Sequence, residues 1–185
     1  MAQDAALLQA GEPVARIYTW EGPWVTLGRF QRPERSATGK VPHTIRPTGG
    51  KAVLHGHDIV VAAVIPVVER AALGDIYRSL VEPILRAAGK CGVRAGFASS
   101  RRTETLGADC FAAKGAFDVV DVFGRKIAGC ALRVTDQAAL LQASLPVRDP
   151  LVLPSSAIVS ASDEVFVPEY SGDLPGALLL EFSTL

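Results

Sequence analysis

Hydrophobic residues recur every four positions from Ile76 to Ile84, which is the spacing of one helix face. The surrounding segment "GDIYRSLVEPILRAAGK" therefore predicts the clearest helix of the chain. Asp75 can cap its start, and Gly89 can end it, because glycine tolerates the backbone conformation found at a helix C-terminus. Pro83 lies inside this segment and is expected to kink the helix.

Short runs rich in β-formers predict strands in the rest of the chain. Two of them, residues 14–20 and 24–30, are split by Glu-Gly-Pro, which indicates a hairpin or a tight strand connection. A hairpin is also predicted over residues 117–135, with its turn at residues 123–125, and residues 138–147 fit either a strand or a helix. Further strands are predicted at residues 51–55, 58–66 and 176–182.

The remaining segments complete a mixed α+β pattern with several hairpins rather than a βαβ series. A short helix is predicted at residues 4–10, and polar loops are predicted at residues 31–43 and 99–108. The length of 185 residues fits a single domain, residues 1–185, with one core.

Composition narrows the classes of function. The 19 basic and 19 acidic residues give no net charge, which argues against a general nucleic-acid binder. No apolar run approaches the roughly 20 residues that a membrane helix needs, and the first residues lack the basic start of a secretory signal. Three cysteines without a C-x-x-C pair indicate reduced thiols, so we expect a cytoplasmic protein.

The segment "RPTGGKAVLHGHD", residues 46–58, concentrates possible chemistry. Consecutive glycines allow close approach of a ligand and expose backbone N–H donors to an anion, but an ordinary glycine-rich turn explains them equally well. His55, His57 and Asp58 could ligate a metal ion, yet no distant His or Cys motif supports that interpretation, so no metal site is predicted.

Two residues further along are candidates for catalysis, each with an ordinary alternative. Lys126 follows a predicted turn, where it either points into a cleft as a fixed cation or is a solvated hairpin lysine. Cys110 would be nucleophilic if positive charge lay nearby, and is otherwise a small buried hydrophobe, as Cys91 and Cys130 are expected to be. The cations close to Cys110 in sequence are Arg101, Arg102, Lys114 and Lys126.

Taken together, three segments resemble the lipoate–protein ligase and octanoyltransferase family, which is related to the biotin ligases. "RIYTWEGPWVTLGRFQ" is similar to the family's aromatic-rich opening with its G-x-x-Q element, "RPTGGKAVLHGHD" to its R-R-x-[ST]-G-G-x-A-V stretch, and "FGRKIAGCALR" to its G-[RK]-K-[IV]-[SA]-G-[SA]-A segment. The chain departs from this pattern at Ile45, in "HGH" and at Cys130, and the tail after Val147 matches no family segment. An accessory C-terminal domain is not expected.

The resemblance implies a mixed, mainly antiparallel sheet with flanking helices around an acyl-chain channel. It implies that Lys126 is the active-site lysine that holds the acyl carbonyl or an adenylate phosphate. It also implies that the glycine-rich segment lines the acyl and nucleotide pocket. The substrate-binding residues expected on this basis are Arg46, Thr48, Gly49, Gly50, Ala52, Val53, His55 and Gly129.

The resemblance also separates two subclasses. One octanoyltransferase branch forms an acyl-thioester on a Cys-Phe pair shortly before the lysine, and Cys110 with Phe111 fits that position. The ATP-dependent ligase branch carries Asn-Asp where this chain has Phe117 and Asp118. We therefore expect Cys110 to take an octanoyl group from an acyl carrier protein without a cofactor. The acyl group then passes to the lysine of a lipoyl carrier domain, that of the glycine-cleavage H protein or of a 2-oxoacid dehydrogenase E2.

Two alternatives to this transferase remain open. One is an ATP- and magnesium-dependent lipoate–protein ligase, alone or with a partner subunit. The other is a catalytically silent homologue that binds an acyl chain or a carrier domain.

Overall fold

The fold is built on two β-sheets and five helices in the part of the chain that the structure describes. The computed structural model describes residues 1–67, 71–98, 108–111 and 118–184. The strands are β1 (Val14–Tyr18), β2 (Trp24–Leu27), β3 (His43–Ile45), β4 (Val53–His55), β5 (Asp58–Pro66), β6 (Ala95–Phe97), β7 (Val119–Asp121), β8 (Lys126–Val134) and β9 (Ala138–Pro146). The helices are α1 (Ala2–Ala10), α2 (Pro33–Ser36), α3 (Leu73–Lys90), α4 (Pro154–Ala157) and α5 (Leu174–Phe182).

The larger sheet has six strands in the order β1-β5-β9-β8-β7-β6, and each neighbouring pair is antiparallel. The smaller sheet has the order β3-β2-β4, with β2 parallel to β3 and antiparallel to β4. Strand β4 turns directly into β5 at Gly56 and His57, so this turn joins the two sheets. The arrangement confirms the predicted α+β class with a mainly antiparallel sheet.

Both faces of the larger sheet are buried around its central strands. Helices α3 and α5 cover one face, where Leu80 and Leu178 pack in one core with Val61. Helix α1 lies on the opposite face, where Leu8 packs with Ala62. Neighbouring residues of β5 thus enter different cores, which explains why this strand is a continuous hydrophobic run rather than an alternating one.

The tail after Val147 forms part of a second core. Ala157 and Ile158 pack there with Val25 and Leu54 of the smaller sheet. Ile158 also forms an isolated antiparallel bridge with Ala37. The tail therefore packs against the smaller sheet.

The predicted hairpin between the first two strands is wrong. Strand β1 pairs with β5 in the larger sheet, whereas β2 pairs with β3 and β4 in the smaller one. The connection between them is tight, as predicted, but it carries the chain from one sheet to the other. A β-rich pattern identifies strands without identifying their partners, because pairing is decided by contacts distant in sequence.

Two further predictions on helices and strands need correction. The run at 176–182, predicted as a strand, lies in α5, whose first turn is capped by Asp173 accepting a hydrogen bond from the Gly176 N–H at 3.0 Å. Helix α3 begins after Ala72 without a side-chain cap, so Asp75 lies in its first turn instead. The helix continues through Pro83 and past the predicted stop at Gly89, and it ends at Lys90.

Other predicted elements have simpler outcomes. Residues 138–146 form a strand, and the predicted loop at 31–43 contains the short helix α2. Most of the predicted loop at 99–108 lies outside the described residues. Within those residues, no helix has both the length and the apolar character needed to cross a bilayer.

Replacing Ile84 by Ala should lower the free energy of unfolding by about 2–5 kcal/mol, because a fully buried side chain would leave a cavity between α3 and the larger sheet. Leu73→Ala at the start of the same helix is the matched control. Its side chain is 63% exposed, so a change within about 0.5 kcal/mol is expected. Urea unfolding measures both, and equal losses would contradict this account of the core.

Candidate active site

The ammonium group of Lys126 lies 3.6 Å from the Cys110 sulfur. It donates hydrogen bonds to Asp118 Oδ2 at 2.8 Å and to the Cys110 carbonyl oxygen at 2.9 Å. Lys126 is only 6% exposed, so its charge depends on these partners rather than on water. The fold thus brings together the two residues predicted to be catalytic, which are sixteen positions apart in the chain.

The Lys126 charge is stabilised by its surroundings. Burial alone lowers the pKa of a lysine, because it disfavours the charged form. The negative charges of a Cys110 thiolate and of the Asp118 carboxylate outweigh that effect, so the pKa of Lys126 is raised above its usual value. A fixed cation beside a thiol can stabilise both a thiolate and an oxyanion that develops nearby.

A tight turn between β7 and β8 positions Lys126. The Asp121 carboxylate accepts hydrogen bonds from the N–H groups of Phe123 at 2.9 Å and Arg125 at 2.8 Å, and it forms an ion pair with the Arg125 guanidinium. Lys126 is the next residue and the first of β8. The turn predicted at residues 123–125 is confirmed, and Asp118 stands just before β7 on the other arm of the hairpin.

The glycine-rich segment is joined to Cys110 through the backbone. Ala52 and Asp109 form an isolated parallel bridge, in which the Ala52 N–H donates to the Ala108 carbonyl at 2.8 Å and the Cys110 N–H donates to the Ala52 carbonyl at 2.9 Å. The glycine-rich segment and the Cys110 segment, which are far apart in sequence, therefore lie side by side.

Arg46 holds the glycine-rich loop in shape. Its guanidinium donates to the carbonyl oxygens of Gly49 at 2.6 Å, Lys51 at 2.7 Å and Thr26 at 3.1 Å, and to the Thr48 hydroxyl at 3.1 Å. Burial lowers the pKa of this group, and the nearby Cys110 opposes that effect. Because backbone and hydroxyl oxygens use the Arg46 donors, the loop is organised from within rather than open as an anion cradle.

A buried polar chain continues from this loop to the N-terminal helix. The Thr48 hydroxyl donates to Gln142 Oε1 at 2.7 Å, and Gln142 Nε2 donates to Asp4 at 2.6 Å. Asp4 is also paired with Arg16 and accepts from the Tyr18 hydroxyl. The chain links α1, β1 and β9 to the loop beside Cys110.

His55 has a partner for each ring nitrogen. Nδ1 lies 2.6 Å from Asp58 Oδ2, and Nε2 lies 2.8 Å from the Thr26 hydroxyl. Burial tends to raise the pKa of Asp58, but His55 and the Ser144 hydroxyl outweigh it, so that pKa is lowered. The Trp20 ring stacks on the imidazole, with ring centroids 5.2 Å apart. Among the described residues, no three His, Cys, Asp or Glu side chains are arranged to hold a metal.

A small, largely apolar pocket opens beside Cys110. Four of the predicted substrate-binding residues line it: Arg46, Val53, His55 and Gly129. The other four do not line it: Thr48, Gly49, Gly50 and Ala52. Because the family resemblance predicts an acyl-chain channel, we call this the acyl pocket. Its other lining residues are Met1, Thr26, Val60, Cys110, Cys130, Ala131, Gln142, Ala143 and Ser144.

Gln142 and Ser144 were missed as site residues by the sequence analysis. They are polar residues two positions apart in an otherwise apolar strand, so they share one face of β9 and meet the same pocket. Two polar residues at that spacing could have been predicted from the sequence to share a site. Thr26 offered no such signal, because a threonine is ordinary in a strand.

The structure describes the other two cysteines, but it does not describe several residues that were considered together with Cys110. Cys91 is buried, and burial raises the pKa of both Cys91 and Cys130, which agrees with their interpretation as small hydrophobes. The other residues considered with Cys110, namely Arg101, Arg102, Lys114 and Phe117, lie outside the described residues.

Comparison with known proteins gives one family. Residues 1–162 match the lipoyl protein ligase A/B catalytic domain. An octanoyltransferase LipM from Carboxydothermus hydrogenoformans is 32% identical over 145 residues, which cover 71% of this chain and 54% of that protein. An octanoyltransferase LipM from Bacillus subtilis is 30% identical over 152 residues, with the same coverage. The chain spans about half the length of the curated relatives it matches.

Solved structures show the same fold at low identity. A bi-partite lipoate protein ligase from Thermoplasma acidophilum, studied with its E2 lipoyl domain, has a TM-score of 0.76 at 20% identity, covering 99% of this chain and 76% of that one. A lipoate-protein ligase A bound with ATP has a TM-score of 0.75 at 21% identity, with 99% and 78% coverage.

Gly129→Ala should slow alkylation of Cys110 severalfold. A Cβ at this position would lie 3.3 Å from the Cys110 sulfur and 3.5 Å from the Phe111 ring, so the thiol would have to move. Gly96→Ala in strand β6 is the control, because its Cβ would meet nothing within 4 Å. Iodoacetamide labelling followed by peptide mass spectrometry measures the rate at Cys110. Equal rates in both variants would show that Gly129 does not position the thiol.

Proposed function

Because the chain belongs to the lipoyl protein ligase A/B catalytic domain family, we propose that it transfers an octanoyl or lipoyl group through a thioester on Cys110. The acceptor is the target lysine of a lipoyl carrier domain. The observation that carries this proposal is the 3.6 Å approach of the Lys126 ammonium to the Cys110 sulfur beside the acyl pocket. The curated relatives named octanoyltransferase support it.

The reaction has two steps, and Cys110 and Lys126 act in both. In the first, the Cys110 thiolate attacks the carbonyl carbon of an acyl-carrier thioester, and the carrier thiolate leaves and takes up a proton. In the second, the lysine amine attacks the Cys110 thioester, and the Cys110 thiolate leaves. In both, negative charge develops on the acyl oxygen, where the Lys126 ammonium stabilises it. Asp118 keeps that ammonium charged and in place.

The partners follow from this chemistry. The donor is an acyl carrier protein, and the acceptor is the lipoyl domain of a glycine-cleavage H protein or a 2-oxoacid dehydrogenase E2. The transferase needs no cofactor, whereas the ligase alternative needs ATP and magnesium. The catalytic domain comprises residues 1–185, and the three cysteines, which are free thiols, agree with a cytoplasmic location.

Incubation of the protein with octanoyl-carrier protein should produce an octanoyl adduct on Cys110. Intact mass spectrometry detects it, peptide mapping places it, and hydroxylamine should remove it because it is a thioester. Cys91→Ala is the control, because this cysteine lies at the end of α3 and does not line the acyl pocket. Absence of an adduct on Cys110, together with turnover of ATP and lipoate, would show that the protein is a ligase.

Cys110→Ser and Lys126→Ala separate the two enzymatic alternatives. For a transferase, Cys110→Ser should reduce octanoyl transfer to a lipoyl domain at least 10³-fold, since the covalent route is lost. For a ligase, it should leave ATP-dependent attachment of lipoate unchanged. Lys126→Ala should abolish either activity. Gel-shift assays of the lipoyl domain measure both reactions, and a wild-type protein without either would support the silent homologue.

A further inference from the structure

A second cavity, larger than the acyl pocket, has Lys126 in its lining. Cys110 and Gly129 line the acyl pocket, whereas Lys126 and Phe111 line the second cavity. A carbonyl carbon bonded to the Cys110 sulfur would therefore be reachable from the second cavity while its acyl chain occupied the first. We call the second cavity the entry channel.

The cations of the entry channel already have anionic partners. Lys126 is paired with Asp118 at 2.8 Å, and Arg125 is paired with Asp121 at 2.7 Å. Asp109 and Glu164 also line the channel and contribute carboxylates. This balance favours an incoming cation over an anion such as a phosphate.

Asp109 stands closest in sequence to the reacting thiol. It is 6% exposed, and one of its oxygens accepts a hydrogen bond from the Phe111 N–H at 3.0 Å. Burial raises its pKa, with the Phe111 N–H opposing that effect. Apolar side chains form much of the remaining wall, as a lysine stem of four methylenes requires. They are Leu54, Pro146, Pro154, Ile158, Val165 and Phe166.

His57 gives the channel a group that can accept a proton. The residue lines the channel and is 4% exposed, and its Nδ1, which is shielded from solvent, has no hydrogen-bond partner among the described residues. Burial lowers its pKa, which favours the neutral imidazole. The charged or titratable groups around it are Asp58, His55, Arg148 and Asp149, with Asp109, Glu164, Arg125 and Lys126 across the channel.

We propose that the entry channel receives the acceptor lysine and that His57 accepts the first proton from its ammonium group. The inference rests on the proposed function. A lysine arrives with three protons on nitrogen, and the neutral imidazole takes one. The nitrogen then forms a C–N bond to the thioester carbonyl carbon, and the C–S bond breaks. A second nitrogen proton passes to the leaving Cys110 thiolate, which leaves an amide, a thiol and an imidazolium.

The test measures only the second step, in which the acyl group passes from Cys110 to the acceptor lysine. Enzyme acylated on Cys110 is mixed with excess lipoyl domain, and loss of the adduct is followed by quenched-flow mass spectrometry. His57→Gln should slow this transfer about 100-fold, within the range for general base catalysis. Its acylation by octanoyl-carrier protein should remain at the wild-type rate. His43→Gln, at an exposed histidine, should change neither step.

Hydroxylamine separates a chemical role of His57 from a structural one. It is largely uncharged at neutral pH and needs no base to become nucleophilic, so it should release the acyl group from His57→Gln as fast as from wild type. Added imidazole should restore transfer by His57→Ala. Wild-type transfer rates in His57→Gln would overturn the inference alone, and so would an equal slowing of hydroxylamine release. A wild-type enzyme that never forms the adduct would overturn the proposed function and the inference with it.

Discussion

A lysine charge that is nearly excluded from water is the constraint on which the site depends. An unpaired ammonium in a protein interior costs several kcal/mol or more, so Lys126 requires fixed partners. The hairpin of β7 and β8 supplies them by placing Asp118 just before one strand and Lys126 at the start of the other. The Cys110 segment contributes its carbonyl oxygen and its sulfur to the same ammonium. A pair assembled in this way is rigid, and rigidity is what electrostatic stabilisation of a transition state requires.

The polar groups around the acyl pocket are also buried, and they too require fixed partners. Arg46, Thr48, Gln142 and Asp4 are all buried, and each is hydrogen-bonded to its neighbour in the chain that runs from the glycine-rich loop to α1. A fully satisfied network of this kind fixes one arrangement of the loop, because any shift would leave buried donors without acceptors. The pocket can therefore be mostly apolar on its inner surface and still have a firmly held wall. That combination suits an acyl chain, which needs contact area rather than hydrogen bonds.

Local patterns predicted much of the secondary structure but not how the strands pair. Helix α3 and the hairpin that carries Lys126 were expected, since their periodicity and turn residues act within a few positions. The partner of β1 was not, because β5 lies about forty residues away and pairing depends on which faces are buried together. The segment at 176–182, predicted as a strand, is helical, and Asp173 and Pro175 mark the helix start.

The sequence by itself determined the fold class and the family, through three segments that resemble a known family, and the same resemblance marked Cys110 and Lys126 as candidates for catalysis. It also marked the glycine-rich segment, but left open whether that segment was a turn or an anion cradle. Only the tertiary structure decided that Arg46 fills the loop from within, that His55 is held by Asp58 and Thr26, and that His57 faces a different cavity. The physical reason is that hydrogen bonding and burial are relations between distant parts of the chain. His55 and His57 differ by two positions, yet they border different cavities once β4 has turned into β5.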